Sequence, residues 1–277
     1  MPNVSRRNFR RYALAGLGGA LIVAWVLIAL AAPLIAPDRP DAVDIVQRLQ
    51  RPSAQHWFGT DALGRDILSR VIYGSRISLV AGIVVVLIGG VVGTLIGGIS
   101  TYIGGKVEEG MMRLTDVVMC FPPTILALAI AASLGIGVTN TILAMLVVWW
   151  PKFARLSRSV VIVQRNQEYV EAARVLGYSH ARIFFRHVMP NSLGALIVLF
   201  TLDVGTAIIT FAGLSFLGLG VVPPTAEWGA MVSEGRELVE QWWVATFPGL
   251  AILSIVVGFN FFGDGIRDWL DPRSLSR

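Results

Sequence analysis

The sequence predicts an all-α, polytopic membrane protein with six transmembrane helices. The chain of 277 residues is 55% hydrophobic and only 15% charged, whereas about a quarter of the residues of soluble domains are charged. Its mean hydropathy is +0.67. Several runs without a charged residue reach the roughly 20 residues that a helix needs to cross a bilayer. A soluble domain would need one very large core surrounded by helices with charged outer faces, and these runs exclude that.

Apolar runs supply the six spans in order. The run at 117–150 is too long for one span and contains the turn-forming residues Gly135 to Gly137, so we divide it into two helices that form a hairpin. The run at 192–222 contains one charged residue, Asp203. The predicted spans are 13–36, 77–103, two helices within 117–150, 192–222 and 242–262. The second span carries Gly89, Gly93 and Gly97 at a spacing of four, which predicts close approach to another helix.

The distribution of basic residues predicts the orientation. If six spans alternate, sixteen of the 23 Lys and Arg residues fall on one side, and that side is expected to be cytoplasmic. Both termini are then cytoplasmic. The net charge of +5 therefore indicates a membrane protein rather than a nucleic-acid-binding one. The expected organisation is a cytoplasmic segment 1–12, a first helix with its outer loop 13–76, a five-helix core 77–265 with a cytoplasmic loop 160–191, and a cytoplasmic tail 266–277.

The single cysteine and the first apolar run exclude two further possibilities. Cys120 lies in an apolar run and is expected to be a buried thiol, so neither a disulfide nor a thiolate metal site within the chain is expected. We expect no cleavable signal peptide, because the first apolar run is too long and is followed by Pro33 and Pro37.

The segment 164–191 between spans four and five, called the foot below, is the most informative. Four residues at i, i+3, i+4 and i+7 predict the apolar face of a short helix: they are Tyr169, Ala172, Ala173 and Leu176. Gly177 ends this helix, and Ser179 can cap a second helix that runs to His187. Pro190 then opens span five. Such a knob suits a groove on another protein or a position on anionic lipid headgroups, and these residues leave both open.

The triplet Glu171-Ala172-Ala173, followed by Gly177 and Pro190, resembles the EAA motif of ABC importer permeases. This resemblance implies that the foot docks onto a separate ATP-binding subunit and transmits its closure to the spans. On this resemblance, Glu171 would form a hydrogen bond or an ion pair near the surface that docks onto the ATP-binding subunit. Ala172 and Ala173 would permit close approach, and Gly177 would supply the bend.

Three further stretches are similar to signatures of the dipeptide/oligopeptide/nickel permeases. They begin at His56-Trp57-Phe58-Gly59, at Leu214-Ser215-Phe216-Leu217 and at Gly263-Asp264-Gly265-Ile266. The similarity extends from about Ala13 to Pro272 and is closest to the C-type permease subunit. It implies a type I ABC importer permease fold in the bacterial cytoplasmic (inner) membrane.

The same resemblance implies the partners and the solute. The partners would be a second permease subunit of the B type, two ATP-binding subunits and an extracytoplasmic solute-binding protein. The expected solutes are di- or oligopeptides, with nickel or glutathione as alternatives. ATP and Mg would be used by the ATP-binding subunits, and no cofactor or metal is expected on this chain.

Missing motifs argue against an enzyme. The sequence contains no GxxxxGK[ST] phosphate loop, since its two lysines, Lys106 and Lys152, are followed by Val107 and Phe153. It also contains no GxSxG elbow and no HExxH pair. Its three histidines are separated by the predicted topology. An ion-coupled carrier stays open as an alternative, although such a carrier usually needs several ionisable groups near the midplane.

Two acidic features remain as candidate sites. Asp203 is the only acid deep within a predicted span, and it is expected either to line the translocation path or to pair with a polar group of a neighbouring subunit. At the outer side, Glu234, Glu237 and Glu240 at a spacing of three predict one acidic helical face. That face is either solvated or a contact surface for a protein that delivers the solute.

Overall fold

The computed structural model describes residues 3–270, with side chains from residue 13 onward, and this part of the chain is helical apart from its loops. Of the predicted terminal segments, residues 1–2 and 271–277 lie outside the described part. The helices are α1 Asn3–Ile35, α2 Ile67–Ile103, α3 Gly105–Met119, α4 Pro123–Leu134, α5 Val138–Arg165, α6 Glu168–Val175, α7 His180–Ile183, α8 Met189–Phe216, α9 Trp228–Gly235 and α10 Trp243–Leu270. A 3-10 turn covers Ile45–Gln47, and a π-helical turn covers Phe184–Val188. Within residues 3–270, β pairing is limited to an isolated bridge between Thr60 and Asp66. The all-α prediction is confirmed.

The long helices run between two ends of the molecule. At the loop end, the turn that follows α4 meets the segment that follows α8, because the Gly137 amide donates to the Leu219 carbonyl at 3.1 Å. At the foot end, the Arg165 guanidinium donates to the Thr101 carbonyl and joins α5 to α2. Successive long helices therefore alternate in direction, as the sequence predicts.

The count of six spans is not reproduced as such. Within residues 3–270, four helices qualify as membrane spans by length and composition: Ala13–Ile35, Ile67–Ile103, His180–Phe216 and Trp243–Leu270. The pair α3 and α4 would make a fifth, but it is bent by 84°. Helix α5 joins the loop end to the foot end but does not qualify, because Lys152 and the arginines after it lie within the helix rather than in the predicted loop.

The bend between α3 and α4 corrects the predicted start of the third span. Pro122 has an extended backbone at ψ 124°, and Pro123 occupies the first turn of α4. Proline lacks an N–H donor and disfavours helical conformation in the residue before it, so a continuous helix from Val117 is excluded. The predicted turn at Gly135 to Gly137 is confirmed, since these two glycines have φ of +89° and +150°. Cys120, expected to be buried, is exposed beside the bend.

The glycine stripe of α2 packs directly on α5. A Cβ atom on Gly93 would lie 2.1 Å from the Trp150 carbonyl oxygen, and one on Gly97 would lie 2.1 Å from the Ala154 carbonyl oxygen. Only glycine permits backbones to approach this closely, so the predicted role of the stripe is confirmed. The Ser157 hydroxyl donates to the Thr94 carbonyl at 2.8 Å in the same contact.

A buried ion network closes the loop end. Arg65 donates to Asp61 at 2.6 Å and to Glu234 at 3.1 Å, while Arg70 donates to Asp61 and, at 2.9 Å, to Glu234. Both arginines and Asp61 are at most 4% exposed. The network therefore fastens the segment before α2 to the end of α9.

This network also overturns the predicted acidic face. Helix α9 ends at Gly235, so Glu234 and Glu240 do not share a helix. Glu234 faces the buried arginines, whereas Glu237 lies in a turn and pairs with Arg236 at 3.2 Å. The spacing of three was misleading because Gly235 ends the helix within it.

The start of α9 is also held by buried polar contacts. Glu227 is fully buried and caps the helix, accepting from the Gly229 amide at 3.0 Å and the Ala230 amide at 2.9 Å. It also accepts from the Ser78 hydroxyl at 2.8 Å. The Trp228 indole donates to the Val71 carbonyl at 2.9 Å. Both residues therefore fix α9 against α2.

Candidate coupling foot and membrane-embedded charge pair

Helix α6 forms the outer part of the foot, but its buried face differs from the predicted one. Val170 and Ala173 point inward and are 0% and 4% exposed, whereas Leu176 is 71% exposed. Tyr169, Ala172 and Leu176, which the spacing places with Ala173 on one apolar face, are exposed, so the predicted face is not the buried one. Helix α6 has only eight residues and buries one pair three positions apart, Val170 and Ala173. Leu176 follows the end of the helix and lies outside this buried contact.

Gly177 ends α6 as predicted, in a Schellman arrangement. The Gly177 amide donates to the Arg174 carbonyl at 2.9 Å, and the Tyr178 amide donates to the Ala173 carbonyl at 3.2 Å. Gly177 has φ of +78°, a conformation that other residues rarely adopt. It therefore turns the chain sharply and leaves Val175 and Leu176 at the tip of the foot.

The underside of the foot is a small hydrophobic cluster. Its buried members are Val161, Val170, Ala173, Ile183, Phe184, Val188 and Met189. Tyr102 at the end of α2 packs against it, with its ring centroid 5.4 Å from that of Phe184. The cluster therefore joins α6 to α2, α5 and α8.

The second foot helix is continuous with the fifth predicted span. Ser179 caps it as predicted, accepting from the Arg182 amide at 3.4 Å. The chain then runs as one helix of 37 residues, His180–Phe216, through the π-helical turn. Pro190 lies in the first turn of α8, as predicted, but α8 continues from the second foot helix instead of starting separately. Pro190 cannot donate a backbone hydrogen bond, and the wider π turn just before it accommodates that loss.

The foot brings the predicted coupling residues together, although they do not share one surface. Glu171, Ala172, Gly177 and Pro190 are exposed, while Ala173 packs inward. Sequence reasoning missed the most exposed apolar residue of the foot, Val175, at 88% exposure. The sequence did contain a signal for this exposure, because Val175 directly precedes Leu176 and Gly177. Consecutive residues of a short helix point in different directions, so both apolar side chains cannot face the same core.

Asp203 has its partners within this chain. One carboxylate oxygen accepts from the Trp149 indole at 2.7 Å, and the other pairs with the Lys152 ammonium. Asp203 is 2% exposed, whereas the Lys152 side chain is 48% exposed. The expected pairing with a neighbouring subunit is not needed, since α5 already supplies both donors.

A second cluster of titratable groups lies at the loop end. Asp38, His56 and Asp66 place possible ligand atoms within 4.8 Å of one another. However, His56 already bonds Asp66 at 3.0 Å and Gln47 at 2.7 Å. Asp66 also accepts from the amide and hydroxyl of Ser69 as the cap of α2. This cluster has a structural role that accounts for its geometry.

Membrane-length helices, a helical foot and a charge pair between α5 and α8 indicate a polytopic membrane protein. Residues 86–276 match the family model described as the binding-protein-dependent transport system inner membrane component. Residues 4–52 match the N-terminal transmembrane domain of oligopeptide transport permease C. The chain therefore belongs to the family of C-type permeases of ABC importers.

Curated relatives support this assignment over nearly the whole chain. The chain is 47% identical over 255 residues to a probable D,D-dipeptide transport system permease of Escherichia coli K12, covering 92% of this chain and 86% of the relative. It is 42% identical to a dipeptide transport system permease of Alkalihalophilus pseudofirmus, covering 98% and 89%. It is 45% identical to a glutathione transport system permease of Escherichia coli O6:K15:H31, covering 96% and 89%.

A solved structure of the MetNI methionine ABC transporter, in an inward-facing conformation, shares the fold. Its TM-score to this chain is 0.62 at 18% identity, and the match covers 74% of this chain and 98% of the other. The chain is thus a multi-pass inner-membrane transport subunit and not an enzyme. It works with a further permease, ATP-hydrolysing subunits and a binding protein.

Proposed function

We propose that this chain is the C-type half of a heterodimeric channel that imports di- or oligopeptides. The other half is a related B-type permease, and two separate subunits hydrolyse ATP with Mg below them. An extracytoplasmic binding protein delivers the solute to the loop end. The chain itself binds no cofactor, and its role is to enclose the path and to couple it mechanically to the ATPases.

The names of the relatives support a peptide as the solute. Two relatives are named for dipeptides and one for glutathione, which is itself a small peptide. A glutathione importer is therefore the second candidate. Uptake of labelled dipeptides, tripeptides and glutathione by cells that contain or lack this chain separates the two candidates. Loss of nickel uptake alone would contradict both.

The observation that carries the coupling proposal is the apolar tip of the foot. Val175 and Leu176 are 88% and 71% exposed, and covering each side chain would contribute roughly 1.5–3 kcal/mol. Glu171 is exposed on the same short helix. A tip with two adjacent apolar side chains and a nearby carboxylate suits a groove on another protein.

The connection to the spans supports transmission of movement. The underside cluster fixes α6 against Tyr102 of α2 and Val161 of α5. The second foot helix continues into α8 without a break. A displacement of the tip therefore reaches three long helices through packed contacts, with both termini and the foot on the cytoplasmic side, as the basic residues favour.

Cysteine cross-linking tests the dock. In the Cys120→Ser background, Val175→Cys in the intact transporter should cross-link to the ATP-binding subunit. Val239→Cys is the matched control, because Val239 is also a highly exposed valine, at 82%, but lies at the loop end. Cross-linking of Val239→Cys rather than Val175→Cys to the ATPase would refute both the dock and the orientation.

Two substitutions in the foot test coupling itself. Glu171→Arg reverses a charge at the dock, and Gly177→Pro forces φ near −65° where the foot has +78°. Both should leave membrane insertion intact while uptake falls to background and ATP hydrolysis continues. Glu237→Arg, at an exposed loop-end glutamate, is the control. Normal uptake by both foot variants would contradict the proposal.

A further inference from the structure

The ion pair between Lys152 and Asp203 lies at the middle of the bundle. Lys152 occupies the centre of α5, and Asp203 occupies the centre of α8. Each lies roughly 20 Å from either end of its helix at 1.5 Å per residue. A hydrocarbon core about 30 Å thick that is centred on these two helices would include both groups.

The two charges differ in exposure. Asp203 is 2% exposed, and its two oxygens are taken by the Trp149 indole and the Lys152 ammonium. Lys152 has three N–H donors, one of which meets Asp203, and its side chain is 48% exposed. The Lys152 side chain is therefore partly exposed, while the Asp203 carboxylate that pairs with its ammonium is buried.

Polar side chains continue from this pair in both directions. On α5, Arg155 and Ser159 follow Lys152 at i+3 and i+7, and both are exposed. On α8, Thr206 and Thr210 follow Asp203 at i+3 and i+7, with Thr206 exposed and Thr210 half-buried. Helix residues at these spacings share a face.

These two stripes together extend about 21 Å along the bundle, at 1.5 Å per residue. Because α5 runs toward the foot end and α8 toward the loop end, the first stripe leads inward from the pair and the second leads outward. We call the set of Lys152, Arg155, Ser159, Asp203, Thr206 and Thr210 the polar track.

A half-exposed ammonium at this depth is costly against lipid tails, so such groups face a cavity or a partner. Asp203 already neutralises the charge, so a partner subunit is not needed to balance it. An aqueous path explains the remaining exposure and the polar track on either side.

We propose that the polar track lines the translocation path and that Lys152 binds the free carboxylate of a passing peptide. This inference rests on the proposed peptide transport. The peptide carboxylate accepts the donors that Asp203 leaves free, while Asp203 and Trp149 hold the ammonium in position. Di- and tripeptides and glutathione all carry a terminal carboxylate, whereas a peptide amide does not.

Uptake of a tripeptide and of the same tripeptide with an amidated C-terminus tests the binding group. The binding protein also discriminates between the two, but it contributes equally in every variant, so changes in the ratio report on the permease. Lys152→Met should lower the acid-to-amide ratio of kcat/KM by about tenfold or more, as expected for a lost charge-assisted hydrogen bond. The loss should appear mainly in the KM of the acid. Lys152→Arg should retain the ratio.

Lys106→Met is the matched control, since Lys106 is the other lysine of the chain and lies exposed at the foot end. If Lys152→Met lowered kcat/KM equally for the acid and the amide, the ion pair would have only a structural role, and the proposal would be overturned. Unchanged kcat/KM for both substrates would also overturn the proposal.

Water access tests the path independently of the solute. In the Cys120→Ser background, Lys152→Cys should react with a charged methanethiosulfonate reagent, and added peptide should slow the reaction. Leu27→Cys, exposed in the middle of the peripheral helix α1, should stay unreactive. An unreactive Lys152→Cys would refute the path. Failure of the unmodified transporter to import any peptide would instead contradict the proposed function, while the labelling result would still test the path.

Discussion

Replacing Gly93 by alanine tests whether the close approach of α2 and α5 holds the bundle together. The new Cβ would lie 2.1 Å from the Trp150 carbonyl oxygen and 2.9 Å from the Phe153 Cβ. The first distance is about 1.3 Å short of the 3.4 Å at which ordinary contact begins. Both neighbours belong to or adjoin the α5 backbone, so no flexible side chain can give way. The helices must separate or shift.

Overpacking of this kind costs about 1–3 kcal/mol. The control is Gly213→Ala in α8, where nothing lies within 4 Å of the new atom. Alanine there should be neutral or stabilising by up to about 1 kcal/mol through helix propensity. The two variants should therefore differ by about 1–4 kcal/mol.

Thermal or SDS-induced unfolding of the detergent-solubilised transporter measures this difference. Gly93→Ala should unfold at a clearly lower temperature or SDS fraction than Gly213→Ala. Equal stability of the two variants would refute the inference that the glycine stripe is a contact between backbones.

Two predictions concern the loop end, each measured by the same unfolding assay. Glu227→Gln should destabilise by about 1–3 kcal/mol, since it weakens the cap of α9 and the bond from Ser78; destabilisation no larger than that of Glu237→Gln would contradict the capping role. Arg70→Met should destabilise by about 1.5–3 kcal/mol, because Asp61 and Glu234 each lose one charge-assisted hydrogen bond while Arg65 still pairs with both. A stability equal to that of the unsubstituted chain would show that the network contributes little.

The features that sequence reasoning predicted well are local or periodic. The stripe at Gly93 and Gly97 follows from a spacing of four, and the end of α6 at Gly177 follows from the conformational freedom of glycine. Both depend on residues close together in the chain. The motif around Glu171 added the location of the foot between two spans.

The features that it missed depend on distant contacts or on short helices. The partner of Asp203 is Lys152, which lies on α5. No local sequence pattern indicates that α5 packs beside α8. The same holds for Glu234, which reaches Arg70 across 164 positions. The bend before α4 was different, because Pro122 and Pro123 in an apolar run carried the signal for it.

The way the loop end is fastened limits how the chain can change shape. At the loop end, α2 and α9 are joined by ion pairs from Arg65 and Arg70 to Glu234, and separating them would leave ionised groups unpaired inside the protein. These two elements therefore move as one rigid cap. If the loop end faces outward, as proposed, we expect a gate for the solute to open between this subunit and the neighbouring permease rather than within this cap.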